Sequence, residues 1–167
     1  MALVVLAERL GATFKSHKAQ AAVAEARLGA GGPKLILAKP ASYMNTSGGP
    51  VSSLMKFFDI GIHNLIVLHD ELDIPAEDVR IKSGGGHGGH NGLRDIIAAA
   101  GSNEFARVRI GIGRPPGRMD TADFVLKDFS AAERKGLPVT LEIAADAVEA
   151  IVGDGLLAAQ NKFNTAT

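Results

Sequence analysis

Hydrophobic positions change period along this chain, and the changes mark its elements. Leu3 to Leu10 carries apolar residues at helical spacing, with Gly11 as the stop. Ala21 to Leu28 and Lys34 to Lys39 alternate as strands, and the intervening Gly29 to Pro33 makes them a hairpin ended by Pro40. A helix follows, with the stripe Val51, Leu54, Met55 and Phe58 and a cap drawn from Asn45, Thr46 or Ser47. Asn64 to Asp70 reads as a buried strand and Val79 to Lys82 as a short one, leading through GGGHGGHNGL to a helix from Leu93 to Ala100. Phe105 to Gly113 alternates Val108, Ile110 and Ile112 inward with Arg107, Arg109 and Gly111 outward, the pattern of a half-buried strand. Ala131 to Val152 is helical in period, with an interruption expected at Gly136 and Pro138. Asp154-Gly155 breaks it before a last helix, Leu156 to Phe163.

Strands alternating with helices predict an α/β fold: one domain over 1–167, with a mixed, mostly parallel central sheet flanked by helices. An apolar fraction of 46% with 5% aromatic suits buried strands and argues against disorder. The absence of cysteine excludes disulfides, a thiol nucleophile and a four-thiolate metal site, and suits a reducing cytoplasm. No apolar run is long enough to span a bilayer, and the N-terminus is a poor signal peptide. Net charge is zero, yet the distribution is uneven: Arg80 to Arg118 holds seven basic residues against two acidic, and Met119 to Asp154 holds eight acidic against three basic. Neutrality overall can therefore hide a basic face beside the glycine loop.

Polar chemistry concentrates between His69 and Ile96. The strand ending in His69, Asp70 and Glu71 presents Asp70 at the end where open α/β sheets hold their sites. Glycines in the loop admit positive φ and close approach to a ligand, leaving His87, His90 and Asn91 to contact it. Asn45, Asp70 and Asn91 all flank strands on one expected edge, a set suited to a polar carbonyl substrate, with Asn91 donating to a developing oxyanion. Met alone, each asparagine is an ordinary turn residue and Asp70 an ordinary turn cap. Gly84, Gly86 and Gly89 satisfy G-x-G-x-x-G, but the motif follows a late strand and lacks the acidic residue of a dinucleotide site. His87 and His90 lack the helical face that would hold them on zinc, so no metal is expected. G-x-S-x-G is absent, which disfavours a serine triad.

The segments KPASYMNTSGGPV, HDELDIPAEDVRIKSGGGHGGHNGLRDI and FARVRIGIGRPP together resemble the bacterial peptidyl-tRNA hydrolases, and DGLLAAQNKFN is similar to that family's last helix. The resemblance implies hydrolysis of the ester between peptide and tRNA, recycling tRNA from stalled translation, without cofactor or metal, by a cytoplasmic monomer. It implies that Asp70 orients a general-base histidine, that Asn45, Asn91, Tyr43 and His90 bind the peptidyl and 3′-terminal part of the substrate, and that Lys82, Arg107 and Arg109 meet the acceptor-stem backbone.

This sequence departs from the family at its start. Family members begin with a strand ending in Asn-Pro-Gly and a turn carrying Arg-His-Asn, which supplies the base; here the chain opens directly on the following helix. The first strand and the catalytic histidine are therefore expected to be missing, and the domain to be truncated at its N-terminus. His17 does not match the catalytic position, and Asp70 has no histidine to orient unless His69 or His90 substitutes. Two other readings follow from these features: a non-catalytic RNA-binding protein of the same fold, and a nucleotide-binding oxidoreductase using the glycine loop.

Overall fold

The computed structural model describes residues 2–29, 31–40, 47–71, 74–75, 77–86, 91–111 and 131–164, with the side chains of 91 and 131–138 left out. Helices and strands alternate as expected of an α/β protein. Among the described residues the strands form two three-stranded sheets, ordered β1-β2-β3 and β4-β6-β5. Contacts divide the chain into two compact units, one of Leu3–Val67 with Ser83–Ala106 and the other of Met1–Ala2, Leu68–Lys82 and Arg107–Thr167.

In the first unit, α1 (Ala2–Leu10) closes as its sequence predicts. Gly11 takes φ +67°, its N–H bonds to the Glu8 carbonyl at 3.3 Å and that of Ala12 to Ala7 at 2.9 Å, so these two terminal carbonyls are satisfied. The predicted hairpin is present: β2 (Ala21–Arg27) pairs antiparallel with β3 (Lys34–Pro40), and β1 (Lys15–His17) adds to the other edge of β2. Val23 and Ala21 pack against Leu54 and Phe58, burying one face of this sheet under α2 (Gly48–Phe57). A second cluster joins α2 to α3 (Asn91–Ala100): Leu93, Ile96 and Phe105 pack with Val51, Ile62, Leu65, Val67 and Ile97.

The start of α2 corrects a local expectation. Ser47 stands at the cap position but makes no side-chain cap bond. The carboxylate of Asp95, one turn into α3, instead accepts from the Gly48 N–H at 2.6 Å, placing negative charge at the positive end of the helix dipole. Gly48 is required there, because a Cβ would stand 2.3 Å from the Asp95 carbonyl oxygen. Asp95 thus fastens α3 to the first residue of α2.

The other sheet takes β4 (Ile66–Glu71), β5 (Val79–Ser83) and β6 (Ala106–Gly111), with β6 in the middle. Central position overrides the half-exposed pattern read for β6: Val108 is 0% exposed and Arg107 only 1%, so both faces are covered and Arg107 does not point outward. Gly111 allows the segment after β4 to close on this strand, since a Cβ there would meet the Pro75 carbonyl oxygen at 2.0 Å. Its N–H bonds to the Asp78 carbonyl at 2.8 Å.

Ala131–Asp154 is one helix, α4, and continues through Gly136 and Pro138, where an interruption was expected. Proline removes a single N–H donor, and the following turns bury Ala144, Ala145, Ala147 and Val148, which holds the helix together. Gly155, at φ +94°, ends it as predicted and opens α5 (Leu156–Asn164). No described helix is long and apolar enough to cross a membrane.

Candidate active site

Asp70 lies next to the end of β4 and is half-buried, so its carboxylate combines partial desolvation with access. His69 precedes it and is 7% exposed. Neighbouring strand residues point to opposite faces, so the Asp70 carboxylate does not orient the His69 ring. The ring instead donates from Nδ1 to the Asp70 backbone carbonyl at 2.8 Å, because a carbonyl only accepts. That fixes the proton on Nδ1 and leaves the lone pair of the neutral ring on Nε2, which is buried. A nitrogen shielded from solvent has no access to water, which makes His69 a poor replacement base.

Lys82 stands on β5, half-buried, on the strand face that also carries Arg80, whereas Val79 and Ile81 point the other way into the core. Its neighbour Ile81 is fixed by Asn164 of α5, whose side-chain oxygen accepts from the Ile81 N–H at 2.9 Å and whose nitrogen donates to the Ile81 carbonyl at 2.7 Å. Asn164 is a residue that sequence reasoning passed over. A polar residue near the end of a helix gives no local signal of a partner 83 positions away.

Arg107 and Arg109 occupy alternate positions of β6 and share a face. Burial holds the Arg107 guanidinium below its ordinary pKa, and the positive charge of Arg109 adds to the effect. At 1% exposure Arg107 is a core residue in this arrangement, while Arg109 is half-buried. Of the three basic residues assigned to the tRNA backbone, Lys82 and Arg109 therefore have solvent access and Arg107 does not.

Asn91 is the first residue of α3, two positions before the expected start, and its side chain is outside the described set. Tyr43, Asn45, His87 and His90 also lie outside the described residues. The glycine loop enters with Gly84 at φ +68° and Gly85 at φ +87°, the positive angles anticipated for it, and the Gly84 N–H bonds to the Phe105 carbonyl at 3.2 Å.

A family model described as peptidyl-tRNA hydrolase matches residues 1–167. A peptidyl-tRNA hydrolase from Arthrobacter sp. (strain FB24) is 61% identical over 166 residues, covering 99% of this chain and 86% of that protein. One from Leifsonia xyli subsp. xyli is 60% identical over 161 residues, covering 96% of this chain and 83% of its own. Among solved structures, peptidyl-tRNA hydrolase from Acinetobacter baumannii superposes with a TM-score of 0.88 at 34% identity, covering 98% of this chain and 82% of that one. These likenesses favour neither the oxidoreductase nor the purely RNA-binding reading.

Proposed function

The chain belongs to the peptidyl-tRNA hydrolase family, and from that premise we propose that Asp70 and Asn91 carry its ester hydrolysis, with Lys82 and Arg109 holding the acceptor-stem phosphates. In this reading an imidazole takes a proton from water as the oxygen adds to the ester carbonyl. Asn91 donates to the oxyanion, and collapse expels the ribose oxygen, which recovers the proton from the imidazolium. Asp70 orients that ring and stabilises its charged form. The imidazole is the histidine that the family carries ahead of α1, outside residues 1–167. Tyr43, Asn45 and His90 complete the pocket for the peptidyl and 3′-terminal groups, in a monomeric cytoplasmic enzyme.

One observation carries the assignment: Asp70 stands half-buried near the end of β4, on the face opposite the buried His69, in the same sheet as Lys82 and Arg109. Its test is release of peptide from an N-blocked aminoacyl-tRNA, by residues 1–167 and by a chain extended with the family's N-terminal segment, each beside Asp70→Ala. The reading expects the substitution to abolish turnover wherever turnover occurs. Full activity of Asp70→Ala would remove Asp70 from the mechanism. Turnover by residues 1–167 that depends on Asp70 would move the search for the base to His90.

A further inference from the structure

In the first unit, the end of α2 and the β1-β2-β3 sheet bring the rings of Phe57, Phe58 and His17 together with Lys18 and Lys34. Phe57 is 55% exposed although it is large and apolar. Its ring is set by two edge contacts, from His17 at 4.7 Å between centroids with the planes at 82°, and from Phe58 at 4.8 Å and 76°. His17 is itself held, because its Nδ1 accepts from the Ala19 N–H at 3.0 Å. The Nζ of Lys18 lies 5.1 Å from the centre of the Phe57 ring, and that of Lys34 5.9 Å from the centre of Phe58. Lys15, Lys18, Lys34 and Lys56 are all exposed. Lys34 is paired with the Glu25 carboxylate at 2.8 Å, and Asp59, two residues after Phe57, is exposed.

We propose that this surface binds single-stranded RNA, one base stacking on Phe57 while Lys15, Lys18 and Lys56 meet the flanking phosphates. A fixed, exposed ring offers a stacking face at little entropic cost, and lysines around it supply the backbone charge that such sites use. Lys18 moves from the ring to a phosphate as the base arrives. The chemistry favours RNA over a lipid surface, since among the described residues of this unit the exposed large apolar side chains are Phe57 and Val4 alone. One ring suffices for one base but gives too little apolar area to anchor on a membrane. RNA as the partner rests on the family's substrate class, and none of the residues named for this surface is one assigned to ester hydrolysis.

The experiment uses a fluorescein-labelled single-stranded oligouridylate and the 167-residue chain, which contains no tryptophan. In Phe57→Trp the introduced indole is the sole one, and the oligonucleotide should quench it as the base stacks. Phe57→Ala and Phe57→Leu should weaken binding about tenfold, whereas Phe57→Trp should retain it. Lys15→Gln with Lys18→Gln should make the slope of log affinity against log salt shallower by roughly 1.4 units. Binding without indole quenching, equal affinity of the folded Phe57→Leu variant, or co-sedimentation with phosphatidylserine vesicles in place of RNA binding would each overturn the proposal. Because Asp70→Ala should leave the quenching intact, loss of peptide release and loss of this surface are read separately.

Discussion

The side-chain amide of Asn164 serves the edge strand β5 as a neighbouring strand would, pairing with both backbone groups of Ile81 at 2.9 and 2.7 Å. Among the described strands β5 is the last in its sheet, so these two groups are ones that no further described strand serves. At this position the edge offers no free backbone pair to another chain. Asn164→Ala should strip both bonds and destabilise the fold by about 1–3 kcal/mol, read as a lower denaturation midpoint at unchanged slope. Asn164→Asp keeps the acceptor but loses the donor, and should fall between the parent and the alanine variant. An unchanged midpoint for Asn164→Ala would show that water replaces the amide without cost.

Asp95 and Gly48 give a second test. Asp95→Ala removes the side-chain bond to the Gly48 N–H at the start of α2 and should cost roughly 0.5–2 kcal/mol, the range for loss of a helix cap. Gly48→Ala should cost more than a mid-helix exchange would suggest, because its methyl must displace the Asp95 backbone, whose carbonyl oxygen lies 2.3 Å from the Cβ position.

These two contacts show where the sequence stops being readable. The helix after residue 47 is visible in its apolar stripe, and the hairpin in its glycine turn, because both signals lie within one element. The cap comes from a residue 47 positions away and the strand partner from one 83 away, and no local pattern reports either. β6 misleads for a related reason. Arginines alternating with apolar residues suggest a wet face, but a middle strand is covered on both sides, and Arg107 was drawn inside with it. At the site, Asp70 is legible from its place at a strand end. That His69 turns away, with its ring locked on a backbone carbonyl, becomes visible only in three dimensions.

Glu25 supplies a prediction in pH. Its carboxyl is held below the ordinary carboxylate value, mainly by the hydrogen bond from Lys34 and then by that residue's charge. A folded pKa below the unfolded one means stabilisation that is present above the unfolded value and fades as pH falls through the folded value. Lys34→Gln should return the Glu25 titration, followed by carboxyl-carbon NMR, toward its usual position. The exposed setting makes the accompanying change in stability small, and high salt should erase it. A Glu25 titration that ignores the substitution would contradict the pairing.

Lys82 and Arg107 should respond oppositely to the same exchange. Lys82→Ala, at a half-buried strand position, should leave stability within about 0.5 kcal/mol and make the slope of log tRNA affinity against log salt shallower by about one unit. Arg107→Ala, at 1% exposure, should instead destabilise the fold by roughly 2–4 kcal/mol while the folded fraction keeps the parental slope. A shallower slope for Arg107→Ala would mean that the arginine leaves the core to meet a phosphate.

Asp70→Asn separates orientation from binding. Asparagine keeps the shape and can still hydrogen-bond an imidazole, but it cannot stabilise the positive ring that forms when water gives up its proton. The loss then falls on a state reached only during the reaction, so kcat should drop by at least roughly a hundredfold while KM stays near its parental value. The comparison belongs on the chain carrying the family's N-terminal segment, where the oriented histidine is present. Asn91→Ala should also lower kcat, by withdrawing the oxyanion donor, but its effect should not multiply fully with that of Asp70→Asn, because both act on one transition state. A rise in KM equal to the fall in kcat/KM would recast Asp70 as a substrate contact, and the catalytic assignment would pass to another group.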